Sequence, residues 1–254
     1  MRLDQWLVLQ NKVRSRSQAE ELISRGEVSL FDPKTKSWAI LKKASYKVLE
    51  HVTEEQIKVE SELTSFVARS GIKLKKALEK IKFNVEGLKC LDVGQSTGGF
   101  TQVLIENKAD LVVGLDVGAG QLSDDLKNNL KIKSFENLDI RLAKKNIDFK
   151  LNLPFDFVVI DVSFISLTQV LGSIPELLKP KASVLALVKP QFELSAKDLD
   201  RKGLVKGKDK FIEVEAKIKT FVQGMKQFKI LDYFQSELLG KEGSLEFFIY
   251  LKLI

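Results

Sequence analysis

One cysteine, Cys90, and one histidine, His51, are all that 254 residues hold of the two commonest soft metal ligands. An internal disulfide, a thiolate cage and any metal site needing two imidazoles are therefore excluded, and no metal is expected. No run approaches the ~20 apolar residues that span a bilayer. The start, MRLDQWLVLQ, puts Asp4 where a secretory signal needs basic or apolar side chains. A cytoplasmic protein without stable membrane association is expected. Five prolines and 15 glycines leave no low-complexity tract. What remains is 44% apolar and 30% charged, a globular composition with a sizeable core. Basic residues number 41 against 34 acidic, a net charge of +7.

That charge is unevenly placed. Residues 1–47 carry ten basic against five acidic side chains, whereas residues 48–62 set Lys58 against Glu50, Glu54, Glu55, Glu60 and Glu62. Residues 63–89 return to seven basic against two acidic. A polar stretch without apolar periodicity reads as a spacer. The expected division is a small domain over 1–60, a linker over 61–67 and a larger domain over 68–254.

In the first block, Leu3, Trp6, Leu7 and then Ala19, Leu22, Ile23 follow helical spacing, and Gly26 closes the second helix. Apolar runs at 28–31, 39–41 and 46–49 suggest strands, the first two joined by a turn at Asp32-Pro33. Arg2, Arg14, Ser15, Arg16, Arg25, Lys42 and Lys43 form a solvated basic face or a grip on phosphates. The strings MRLDQWLV and RSRSQAEELISRGEVSL resemble the small RNA-binding domain first described in ribosomal protein S-four. That resemblance implies that Arg14, Ser15, Arg16 and the following helix contact structured RNA.

The remainder reads as α/β. Runs at 90–93, 111–116, 157–161 and 184–188 suit strands buried on both faces, with helical periods between them. A doubly wound, mostly parallel, Rossmann-like sheet is expected. Lys73 to Phe83 reads as a helix, with Leu74, Ala77, Leu78 and Ile81 inward and Lys73, Lys76 and Lys80 on another face. Further strands are expected at 228–234 and 245–251.

The segment Leu91 to Thr101 is a strand running into a glycine turn, where backbone approaches a ligand closely. Phe100 occupies the position of the phosphate-binding lysine of a P-loop, and the dinucleotide fingerprint is absent. Asp92 precedes the glycines and Asp116 closes the next strand, where an acid accepts from ribose hydroxyls. The pattern suits a nucleoside without phosphate, such as S-adenosyl-L-methionine, or a purely structural turn. Asp161 and Lys189 each close a buried strand, at the edge where α/β sheets bind ligands. They form a structural ion pair, or Lys189 is a base tuned by a second cation, for which Lys73 is the candidate.

FVARSGIKLKKAL, LDVGQSTGGFTQVL, GLDVGAGQL, DVSFISL, LVKPQFE and SLEFFIYL, in this order after the basic domain, resemble the TlyA family of rRNA 2′-O-methyltransferases. Members are sometimes labelled haemolysins, and their catalytic domain is FtsJ-like. The resemblance implies a catalytic tetrad of Lys73, Asp161, Lys189 and Glu246. It further implies cofactor contacts from Asp92, Gly94, Ser96, Gly98, Phe100, Thr101, Asp116 and Asp139, and ribosomal RNA or a ribosomal subunit as partner. Lys189 is then the base, oriented by Asp161, with Glu246 holding the second lysine or the ribose. Gln95 stands where relatives usually have a small residue, and Asp139 where they tend to have asparagine. A non-catalytic ribosome-assembly factor and a membrane-active haemolysin are the alternatives. The sequence sets no oligomeric state.

Overall fold

The computed structural model describes residues 1–240 and 243–254, apart from the side chains of Glu62 and Leu63. The chain divides into two units, Met1–Arg69 and Ser70–Ile254.

In the first unit, α1 (Leu3–Leu9) and α2 (Arg16–Arg25) precede an antiparallel sheet of β1 (Val28–Asp32), β2 (Ser37–Ile40) and β3 (Ile57–Val59), ordered β2-β1-β3. The Ser15 hydroxyl caps α2 by accepting from the Gln18 N–H, and Gly26 ends it in the left-handed conformation. Leu3, Leu7, Ala19, Leu22, Ile23, Val28 and Ile57 form the core. Each removes an apolar side chain from water, worth about 1.5–3 kcal/mol for the larger ones.

Two expectations fail here. The run at 46–49 is not a strand; Lys47 makes one isolated bridge to Arg2, and Val48 is buried beside it. The third strand lies instead inside the acidic stretch, where buried Ile57 alternates with exposed Lys58, and Leu30 pairs with Ile57. Three residues are too short for a period to show against the surrounding glutamates.

The second unit is built on a seven-stranded sheet ordered β6-β5-β4-β7-β8-β10-β9. Its strands are β4 (Lys89–Val93), β5 (Leu111–Leu115), β6 (Ile132–Phe135), β7 (Phe155–Ile160), β8 (Leu178–Val188), β9 (Phe228–Gln235) and β10 (Phe247–Leu253). β4 to β8 run parallel, while β10 is antiparallel to both its neighbours. The continuous apolar runs of β4, β5, β7 and β8 are buried on both faces; α4 (Gly99–Glu106) packs on β4 and β5, the long helix Asp209–Met225 on β9, and α3 (Arg69–Ile81) lies beside Phe234 of β9 and Phe248 of β10. Only edge strand β6 escaped the sequence, because its Ile-Lys-Ser-Phe has two apolar residues and no core-strand run. Chain order reverses between β4 and β7, and at such a switch point the carboxyl ends of the strands open a crevice.

Candidate active site

At that crevice the backbones of β4 and β7 nearly touch. A Cβ at Gly94, whose φ is +85°, would lie 2.3 Å from the Asp161 carbonyl oxygen, so no larger residue fits without moving a strand end. Beside this contact lies a cavity of about 360 Å³ lined by Gly94, Ser96, Asp116, Asp139, Asp161 and Phe164 among others. Asp116 ties its walls together: one carboxylate oxygen accepts from the Ser96 N–H at 2.8 Å, the other from the Gly118 N–H at 2.7 Å. Each oxygen retains lone-pair capacity for a hydroxyl.

Four of the eight expected cofactor residues therefore line the cavity: Gly94, Ser96, Asp116 and Asp139. Asp139 is already engaged, its carboxylate gripped by the Arg141 guanidinium at 2.5–3.0 Å and held below the usual range by it. The other four are not among the cavity-lining residues. Gly98 caps α4, Phe100 packs inward at 2% exposure, and Thr101 and Asp92 are fully buried. Asp92 Oδ2 accepts from the Thr101 hydroxyl at 2.7 Å, whereas Oδ1 has no partner. Burial dominates its titration and raises its pKa to about 7, with Asp161 and Asp116 adding repulsion. A buried carboxylate with an unused oxygen fits a ligand that brings positive charge.

The four expected catalytic residues come together along the same sheet edge. Asp161 follows β7, Lys189 follows β8, and Glu246 precedes β10, one position beyond the Val188–Phe247 pair. Lys189 Nζ lies 2.6 Å from Asp161 Oδ1 and donates to the Ser163 hydroxyl at 2.9 Å. Lys73, on α3, shares a face with Lys76 and Lys80 as its spacing suggested, but that face is not open to solvent at its position. It is 8% exposed and donates to Glu246 at 2.6 Å. Helical spacing placed it beside Lys76 and Lys80, but a charge can be buried where a partner waits. Each lysine thus has its own carboxylate.

Two contributors lie inside the strings LVKPQFE and DVSFISL, but the sequence assigned neither a role. Glu193 accepts from the Ser166 hydroxyl and the Leu167 N–H, both at 2.6 Å, and from Lys217 Nζ at 3.0 Å. It thereby fastens the loop bearing Asp161 to the loop bearing Lys189. Phe164, at the cavity rim, is 91% exposed with φ +63°, its ring 5.1 Å from that of Phe192. A bulky residue held outward at positive φ is costly unless used. By contrast Cys90 is a core side chain whose thiol burial pushes up to about 12.

In the first unit, Arg2 and Arg16 converge on the buried Asp4, donating at 2.8–3.2 Å. Their guanidiniums hold its carboxyl at about 2. Both arginine side chains stay about half exposed. Arg25 pairs with Glu27, Ser15 serves as the α2 cap, Arg14 lies exposed just before it, and Lys42 and Lys43 are exposed. Asp4, which in the sequence speaks only against a secretory signal, fixes the spacing of two cations.

Among the described residues no His, Cys, Asp and Glu cluster is suited to a metal, and no helix is long and apolar enough to cross a membrane.

A mostly parallel sheet with an antiparallel β10, a glycine crevice at its switch point and a row of paired charges beside it are the attributes of an S-adenosylmethionine-dependent methyltransferase. The FtsJ-like methyltransferase family matches over residues 66–253 and the S4 domain over residues 1–30. The chain is 35% identical over 246 residues, 93% of each chain, to the 23S rRNA (cytidine-2′-O)-methyltransferase TlyA of Campylobacter jejuni. It is 33% identical over 257 residues to the 16S/23S enzyme TlyA of Mycobacterium tuberculosis, covering 99% of this chain and 89% of that one. A solved structure from Streptococcus thermophilus, described as a hemolysin, superposes with a TM-score of 0.74 at 29% identity, over 100% of this chain and 88% of that one. The chain belongs to the TlyA family of FtsJ-like methyltransferases.

Proposed function

We propose that the protein methylates the ribose 2′-hydroxyl of a cytidine in large-subunit ribosomal RNA, using S-adenosyl-L-methionine. The observation that carries this reading is the row Asp161, Lys189, Glu246 and Lys73 on adjoining strand ends and α3, beside the crevice cavity. Gly94, Ser96 and Asp116 would hold the cofactor, with Asp92 behind them; when bound it supplies an electrophilic methyl group on a sulfonium. A ribose hydroxyl attacks only as it loses its proton. Lys189, once its own proton has passed to water, accepts the ribose proton on its free amine, and Asp161, 2.6 Å away, stabilises the ammonium that results. The Ser163 contact fixes the direction of Nζ, and the Glu246–Lys73 pair faces the ribose from the next strand. Alignment of hydroxyl and methyl does most of the remaining work, as expected for a displacement without covalent intermediates. Phe164 offers an exposed face on which the target base stacks once it leaves its helix. The first unit grips RNA backbone through Arg2, Arg14, Arg16, Arg25, Lys42 and Lys43, with residues 1–60 as clamp and 68–254 as transferase.

Lys189→Ala is expected to abolish 2′-O-methylation of rRNA, read by mass spectrometry of rRNA from cells carrying the variant, while calorimetric S-adenosylmethionine binding persists. Full methylation by Lys189→Ala would refute the assignment of the base.

A further inference from the structure

Gln95 is a long polar side chain at 4% exposure beneath the cofactor crevice. Its amide nitrogen donates to Thr101 Oγ1 at 2.9 Å, and its amide oxygen accepts from the Ser134 hydroxyl at 2.5 Å. Thr101 in turn donates to Asp92 Oδ2 at 2.7 Å. The direction of this chain is fixed. Thr101 has one hydroxyl hydrogen; with the Gln95 amide reversed, that hydrogen would go to Gln95 and the buried Asp92 carboxylate would lose its side-chain donor. The chain runs Ser134, Gln95, Thr101, Asp92, every donor pointing toward the carboxylate, and it links β6, the glycine turn, α4 and β4.

Space for this arrangement is made by Gly114 on β5. A Cβ there would lie 1.9 Å from the Gln95 amide carbon. Gln95 and Gly114 are therefore a matched pair, one filling the volume the other vacates.

We propose that Gln95 is a positioning residue for the cofactor: it holds Thr101 as the donor that keeps Asp92 oriented as acceptor for the cofactor's cationic amino group, directly or through one water. The inference rests on the reading of the crevice as an S-adenosylmethionine site. Asp92 Oδ1 has no partner in the protein, so the chain serves one oxygen and leaves the other for the ligand. The groups opposing its charge are Asp161 after β7 and Asp116 after β5; those supporting it are the hydroxyl and backbone N–H of Thr101 on α4. Without Gln95, Thr101 is free to turn away and the carboxylate takes a proton at higher pH.

The test is calorimetric titration of S-adenosylmethionine into the full-length protein between pH 6 and 9, alongside thermal melts. Gln95→Ala leaves a hole, so Gln95→Ala/Gly114→Ala, which returns a methyl to the vacated volume, is the informative variant. Its melting temperature should return toward wild type, while affinity at pH 7 falls about tenfold, the scale of one charge-assisted hydrogen bond, and recovers by pH 9. Wild-type affinity at pH 7 in the double variant would show that Gln95 only fills space and would overturn the inference alone. No binding to the wild-type protein at any pH would overturn the cofactor reading, and this inference with it.

Discussion

The Lys73–Glu246 pair allows its structural and catalytic roles to be separated by measurement. Both side chains are under 10% exposed and 2.6 Å apart. Glu246→Gln keeps shape and a hydrogen-bond acceptor but leaves an ammonium without counter-charge in a site that water barely reaches. Breaking a buried pair on one side costs about 3–5 kcal/mol. For a unit of this size that corresponds to a fall in melting temperature of roughly 6–20 °C. Lys73→Met/Glu246→Leu removes both charges and replaces them with apolar volume, so its stability should lie within about 2 kcal/mol of wild type, or above it. Urea unfolding followed by circular dichroism reads the stability, and methylation of rRNA reads the function, which both variants lose. Glu246→Gln unfolding within about 1 kcal/mol of wild type would mean the ammonium is solvated. A double variant as unstable as the single would mean that charge is not what couples the two positions.

Asp92→Asn should stabilise the protein at pH 8 while abolishing cofactor binding. With its pKa raised to about 7 from an ordinary 3.8, ionisation costs stability as pH climbs between those values and the loss is complete above them, up to about 4 kcal/mol; a pH-independent difference between variant and wild type would refute this. Asp4 runs the opposite way: its carboxyl, held at about 2, contributes stability above pH 4 that disappears as pH falls toward 2. Asp4→Asn should cost about 1–2 kcal/mol at pH 7 after screening by water, and weaken RNA binding in filter assays with a shallower salt slope, because two arginines lose their common anchor. An unchanged slope would release Arg2 and Arg16 from the RNA surface.

The strands that carry the site were legible because each is a run of apolar residues ending in one charge: Val158 to Ile160 then Asp161, Leu185 to Val188 then Lys189. Hydrophobic burial fixes such strands locally, and the charge at the end needs no tertiary information to be conspicuous. Their pairing was also foreseeable, since adjacent parallel strands bring their ends together. The burial of Lys73 is not legible for the complementary reason: on a helix, spacing assigns a face but not its depth, and only the distant Glu246 makes a buried lysine tolerable. The sequence assigns Asp4, Glu193 and Gln95 none of these roles, because the partners that complete them include Arg16, Ser166 and Ser134, 12 to 39 positions away.

A cluster of buried charge also explains why the fold and the site can be read separately. The core of β4, β5, β7 and β8 needs only apolar volume, and nothing in that packing requires Asp92, Lys73 or Glu246 to be charged. Apolar groups of similar size at those positions would serve stability as well or better. Their cost falls instead on one sheet edge, which runs from the switch point, where Gly94 brings two strand ends together and Gln95 and Gly114 share one volume, to the start of β10. A protein selected for stability alone has no reason to concentrate unfavourable charge beside its crevice. One that must take a proton from a ribose and hold a cationic cofactor has two.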